Sequence, residues 1–183
     1  MRGAEAVLEK GKMLGRSMLV KKRIPKTYRI SELDQKLRRE RTRQEARLLH
    51  RAKLAGVGCP IVLFVDEFSI GMTRINGKRP EMDEQDSETA GEIMARLHNA
   101  GIIHGDFTPA NLLRNKEGIF VIDFGLGFLS ADIEDKAIDV LTMLKSLGKE
   151  KQAAFLRGYV KVSPEYGKIA ARLEEIRKRA RYA

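Results

Sequence analysis

The stretch His104-Gly105-Asp106-Phe107-Thr108-Pro109-Ala110-Asn111 follows a short apolar run, Ile102-Ile103. A carboxylate and an amide at this spacing suit one kind of chemistry. Asp106 can take the proton of an attacking hydroxyl or water, and Asn111 can offer a hard oxygen to a divalent cation. A polar turn is the plain alternative, because Asp and Asn both favour turns. A second group separates the two. Phe120-Val121-Ile122 reads as a buried strand that delivers Asp123 to its end, and Gly125 lets the chain swing away. Two acidic turns a dozen residues apart, joined by a hairpin, point to one site rather than two unrelated loops.

Protein kinases carry a catalytic loop of the form H-R-D-x-x-x-x-N. His104 to Asn111 keeps that spacing, with Gly105 where the Arg stands. On the same pattern Asp123 chelates Mg²⁺ on the phosphates of ATP. Such a site needs a phosphate-binding lysine and an acid to hold it. Lys21 ends an apolar run just before a long helical stretch, and strand alternation turns Lys22 the other way. Within the helical stretch, Leu48, Leu49 and Ala52 follow Glu45 at i+3, i+4 and i+7, so Glu45 lies on the buried face. A half-buried, unpaired carboxylate costs several kcal/mol, on the order of the desolvation of one ion. Lys21 is therefore its expected partner. The alternative, a surface pair with Arg41, is worth only a few tenths, roughly 0.2–0.5 kcal/mol. No full G-x-G-x-x-G is present. Gly3 either lets backbone N–H groups approach a phosphate or belongs to a frayed terminus.

The elements that must position these groups follow from periodicity. Residues 5–24 read as two or three antiparallel strands joined by turns at Gly11 and Gly15. A long helix spans about 32–55, with Ser31 and Asp34 as a capping box and Gly56 as its stop. Two strands follow around an Asp66-Glu67 turn. An amphipathic helix covers 86–100, and a short strand covers 119–122. Helices near 135–147, 150–161 and 165–181 finish the chain, the last with Ser163 as N-cap and Pro164 at its first position. The expected fold class is α+β: a minimal two-lobed protein-kinase-like fold. A small antiparallel-sheet lobe with one long helix, 1–75, precedes a mostly helical lobe, 76–183.

Composition agrees with a globular chain of 183 residues: 43% are hydrophobic and 33% charged. The formal charge of +10 favours an anionic partner such as RNA, nucleotide or an acidic protein. Cys59 is the one cysteine, which excludes an internal disulfide framework and points to a reducing, cytoplasmic setting. The first residues lack the apolar core of a signal peptide, and no run approaches the roughly 20 apolar residues of a membrane span.

Several stretches together carry a resemblance that runs along essentially the whole chain. They are "GAEA", "VKKRIPKTYR", "LDQKLRRERTRQEARLL", "HGDFTPANLL", "IDFGLGF", "EDKAIDV" and the basic end "IRKRARY". The sequence resembles the kinase subunit of the KEOPS complex, a small atypical serine/threonine kinase related to RIO kinases. The resemblance implies ATP and Mg²⁺ as cofactors. It implies Lys21 on the phosphates, paired to Glu45, with Asp106 as the catalytic Asp and Asn111 and Asp123 on the metal. Gly3 and Ala4 would lie over the nucleotide. Met72 would guard the back of the pocket, with Thr73-Arg74-Ile75 as the hinge against adenine. Asp139 would brace the catalytic loop. The family acts with a metal-containing transferase subunit in forming N6-threonylcarbamoyladenosine on tRNA, and Arg177, Lys178, Arg179 and Arg181 would meet that tRNA.

Two other readings fit parts of the pattern. A small-molecule phosphotransferase of the aminoglycoside or choline kinase type shares H-G-D-x-x-x-x-N, but such enzymes enclose their substrate in a larger second lobe. A non-catalytic RNA-binding scaffold fits the charge, but not the joint presence of Lys21, Glu45, Asp106, Asn111 and Asp123.

Overall fold

The computed structural model describes residues 6–13 and 15–179. β1 (Ala6–Met13) and β2 (Arg16–Arg23) form an antiparallel hairpin. The turn between them contains Gly15 at φ +74°, where a side chain would be strained. Gly11, expected in a turn, instead lies inside β1 opposite Met18. β3 (Val62–Val65) and β4 (Ser69–Thr73) complete a four-stranded sheet in the order β1-β2-β4-β3.

α1 (Ser31–Leu54) lays Leu48, Leu49 and Ala52 into the core, as its period demands. Its expected capping box does not form. Ile30 occupies the cap position, with no side-chain bond to the helix. The Asp34 carboxylate is taken by the incoming loop and the next turn, accepting from Lys26 N–H at 3.2 Å and Arg38 Nε at 2.6 Å.

The second lobe is mainly helical: α2 (Glu84–Asn99), α3 (Ile133–Ser146), α4 (Lys149–Val162) and α5 (Tyr166–Arg179). Between α2 and α3 run four short strands. β5 (Ile102–Ile103) pairs with β8 (Phe128–Leu129), while β6 (Leu112–Asn115) and β7 (Gly118–Val121) make a hairpin. α2 and α4 cross with their backbones close together. A Cβ on Gly91 would collide with the Phe155 carbonyl, and one on Gly158 with the Glu88 carbonyl. Ser163 does not cap α5. Its N–H continues α4 by bonding Tyr159 O at 2.9 Å; at the start of α5 the Tyr166 N–H meets the Ser163 main-chain O at 3.5 Å, and the Lys168 and Ile169 N–H groups bond Glu165 O. Ile169 and Leu173 dock α5 on the core, with Ile176 packed beside them. Among the described residues, no helix is long and apolar enough to cross a membrane.

Candidate functional site: a cleft between sheet and helices

β2 places Lys21 and Arg23 on one face, because residues two apart in a strand share a side. Both reach Glu45 on the inner face of α1. Lys21 Nζ donates to Oε1 at 2.6 Å, and Arg23 Nη2 to Oε2 at 2.6 Å. The Glu45 side chain is 2% exposed and that of Arg23 5%. Each oxygen of a buried carboxylate thus has its own cation, which offsets the desolvation that would otherwise exclude it. The pairing with Lys21 is the one alternation predicted. The part of Arg23 was not foreseen, although the same i, i+2 rule marks it.

Lys21 Nζ also donates to Asp123 Oδ1 at 2.7 Å. Asp123 sits just past β7 in the left-handed region, φ 61° and ψ 70°, which costs a non-glycine residue on the order of 1–2 kcal/mol. Its side chain caps the following turn by accepting from Gly125 N–H at 3.2 Å. A Cβ on Gly125 would press against Asp123 Oδ1 and Lys21 Nζ, at 3.0 and 3.2 Å. Burial pushes the Asp123 carboxyl up, but Lys21 and the Gly125 N–H outweigh it and hold the group below the usual carboxylate range.

Asn111 lines the cleft with Asp123. Its Nδ2 donates to Asp106 O at 2.9 Å and Asp106 Oδ2 at 2.8 Å, and its carbonyl accepts from Ile122 N–H at 2.9 Å. This leaves the Asn111 amide oxygen as an acceptor. Asp106 is fixed from behind. His104 is fully buried; its Nε2–H faces Ile122 O at 3.2 Å, so Nδ1 accepts from Asp106 N–H at 3.3 Å. Burial holds the His104 ring neutral by lowering its pKa, against the raising pull of Asp139. Asp139, on α3, accepts from His104 N–H at 2.8 Å and Gly105 N–H at 3.0 Å. Gly105 has φ +78° and packs on the Leu126 carbonyl, so no larger residue fits there. Behind Asp139 stand two groups that no spacing in the sequence marks: His98 Nε2 at 3.2 Å from its carboxylate, and Tyr159 O–H at 2.6 Å from His98 Nδ1.

The cleft is apolar at one end and charged at the other. Leu8, Leu19, Met72, Ile75 and Leu113 wall the first; Lys21, Glu45, Asn111 and Asp123 line the second. Thr73 also lines it, but its N–H already bonds Ile61 O, and the Arg74 N–H bonds Ser17 O. The Ile75 N–H has no backbone partner among the described residues. Gly3, Ala4 and Arg181 lie outside the described residues. Arg177 and Arg179 lie in the last turn of α5 and are ion-paired, to Glu174 at 3.3 Å and Glu134 at 3.0 Å. Lys178 lies between them.

Among the described residues, no cluster of three or more His, Cys, Asp or Glu side chains forms a metal cage. Mg²⁺ does not need one. It is held by one or two protein oxygens together with phosphates and water. The Asp123 carboxylate and the Asn111 amide oxygen are hard donors on one cleft wall and suit that ion.

Comparison with known proteins places this arrangement. The RIO domain signature matches residues 16–143. A probable serine/threonine-protein kinase BUD32 homolog from Archaeoglobus fulgidus is 41% identical over 174 residues, covering 91% of this chain and 89% of the relative. A probable bifunctional tRNA threonylcarbamoyladenosine biosynthesis protein from Methanosarcina acetivorans is 40% identical over 195 residues, covering 99% of this chain but 35% of the relative. The chain thus spans about a third of the length of that relative. The Rio2 kinase of Chaetomium thermophilum, solved as an ADP/Mg²⁺-phosphoaspartate complex, superposes with a TM-score of 0.64 at 17% identity, covering 100% of this chain and 70% of that one. At that identity the likeness shows the kinase-like fold. The signature and the full-length match together show that the chain belongs to the RIO-domain family of atypical kinases, and within it to the Bud32 homologues.

Proposed function

We propose that the chain is an ATP-dependent atypical serine/threonine kinase or ATPase. Its role would be to support N6-threonylcarbamoyladenosine formation on tRNA as the kinase subunit of a KEOPS assembly. The observation that carries the reading is the junction at Lys21, which holds Glu45 at 2.6 Å and Asp123 at 2.7 Å across the cleft. Three elements distant in sequence converge there, and Asn111, which donates to Asp106 Oδ2 at 2.8 Å, lines the same cleft.

In this reading residues 1–75 and 76–183 are the two lobes. Adenine lies against Leu8, Leu19 and Met72, with the free Ile75 N–H as a donor to its edge. Lys21, anchored by Glu45, meets the phosphates. Asn111 and Asp123 would hold Mg²⁺, and the ion would supply positive charge to the phosphates. Asp106 receives the proton of the attacking hydroxyl or water while the bond from the terminal phosphorus to its bridging oxygen breaks and ADP departs. The acceptor is water, the chain itself or a docked partner. That partner is the threonylcarbamoyltransferase subunit, with other KEOPS subunits alongside. Arg177, Lys178, Arg179 and Arg181 contribute contact with tRNA. A cytoplasmic setting goes with the same reading.

The test is ADP release by purified protein, measured alone, with tRNA, and with the partner subunits. Mg²⁺-dependent release that rises with tRNA and partners is expected. Absence of nucleotide binding removes the ATP reading. Release that neither tRNA nor any subunit alters removes the KEOPS reading alone.

A further inference from the structure

We propose that the groove between α1 and β8 binds the backbone of a single-stranded RNA segment. Arg43, Arg47 and Arg51 are exposed on one face of α1 and line this groove with Gln44, Phe128 and Leu129. Glu40 marks one end. The space is about 720 Å³. It lies on the outer face of α1, away from the cleft that Glu45 faces, and the binding claim is independent of phosphotransfer.

Three observations carry it. The first is charge without a counter-charge. Many arginines of this chain find carboxylates, as Arg38 does with Asp34, Arg157 with Glu84 and Arg179 with Glu134, while Arg16, Arg74 and Arg79 stand singly and are not gathered in a row. Among the described residues, Arg43, Arg47 and Arg51 are in no ion pair. Arg51 Nε donates to Ala100 O at 2.7 Å, which anchors the side chain. On a chain of net charge +10, three clustered and unneutralised guanidinium groups are a site for anions.

The second is spacing. Steps of four residues separate the arginines by roughly 6 Å along the helix axis. That pitch is of the order of the distance between neighbouring phosphates of one extended strand. Each guanidinium fork can hold one phosphate through two N–H groups.

The third is the facing wall. Phe128 and Leu129 are exposed on β8, directly across from the arginine row. Unpaired bases stack on aromatic rings and on guanidinium planes, so a ring beside a phosphate-spaced row accommodates a single strand. An acidic polypeptide would use the charges but leave the ring's stacking face idle.

The experiment is fluorescence anisotropy of the full chain with labelled 15-nucleotide polyuridine and with a folded tRNA, across a salt series. The variant Arg43→Gln/Arg47→Gln/Arg51→Gln should bind polyuridine at least tenfold more weakly. Its log–log salt slope should be smaller by about 2, on the order of 0.7 for each phosphate no longer neutralised. Phe128→Ser should weaken binding several-fold and leave the slope unchanged. The triple Arg→Lys variant should keep the slope, which separates charge from general damage. Melting temperature and nucleotide binding, read in parallel, should match the parent in all three. Unchanged affinity and slope in the glutamine variant overturn the proposal. So does a variant that keeps RNA but loses binding to poly-glutamate, an outcome that would assign the groove to an acidic protein.

Discussion

Two sets of ion pairs use the same chemistry in different surroundings. In the cleft, Glu45 meets Lys21 and Arg23 with side chains almost out of solvent. Across the α2–α4 contact, Arg157 and Lys161 meet Glu84, Glu88 and Glu92 with the two cations 49% and 56% exposed. The outer set includes more partners and the inner set fewer, yet the inner one carries the consequence. A charge held away from water cannot be resolvated when its partner leaves, whereas an exposed one can. The number of ion pairs at a place says little about their weight; burial decides it.

The comparison predicts a graded series. The largest effect on turnover belongs to Asp123→Ala, which removes a proposed metal oxygen and the second partner of Lys21. ADP release should fall at least about 100-fold, equivalent to roughly 2.7 kcal/mol of barrier, while circular dichroism stays as in the parent. Near-parental turnover would remove Asp123 from the proposed machinery.

Glu45→Ala comes next. It removes the carboxylate that Lys21 and Arg23 share, leaving Lys21 with Asp123, and breaking a buried pair of this kind costs about 3–5 kcal/mol. The midpoint of urea unfolding should drop accordingly, and nucleotide turnover with it. A parental midpoint would place Glu45 among the bland surface acids and dissolve the contrast between the two sets.

His104 gives a pH-dependent effect of intermediate size. Its folded-state pKa lies below the ordinary 6.5 because burial disfavours the charged ring. Between the two values the unfolded chain binds more protons, so stability rises with pH across that window and is lost as pH falls below about 6.5. The charged groups facing the ring, Asp139, Asp123 and Asp106, pull the other way and limit the shift. Unfolding midpoints taken from pH 7.5 to 5.5 should decline, and the decline should be shallower in His104→Gln. Equal slopes would show that the ring is not held neutral.

Lys161→Ala should do least. Its pKa is raised by Glu88, but the pair is open to water, so the change in melting temperature should be slight and should vanish at high salt. A loss comparable to that of Glu45→Ala would reverse the comparison.

Much of this molecule was legible in order along the chain. The spacing from His104 to Asn111, the strand-end Asp123 and the buried position of Glu45 on its helix are local facts, set by periods of 2 and 3.6 residues. They named the groups that converge at the cleft and the two-lobed class. The long helix, expected over about 32–55 and found over 31–54, and the docking face of Ile169 and Leu173 were readable for the same reason. What went astray was also local in origin. Ser31 and Asp34 have the pattern of a capping box, but Asp34 is claimed by Lys26 and Arg38. Ser163 has the pattern of a cap, but continues the preceding helix.

The sequence by itself determined which residues have chemistry to offer and on which face of their own element each lies. Only the tertiary structure decided who meets whom. It brought Tyr159 and His98 behind Asp139, and it set Asp123 in a left-handed conformation against Lys21, 102 positions away. It neutralised Arg179 with Glu134, and left Arg43, Arg47 and Arg51 facing Phe128. The physical reason is range. Backbone geometry repeats over a few residues and is written in spacing, whereas the partner of a charge is whatever chain closure carries to within about 4 Å of it.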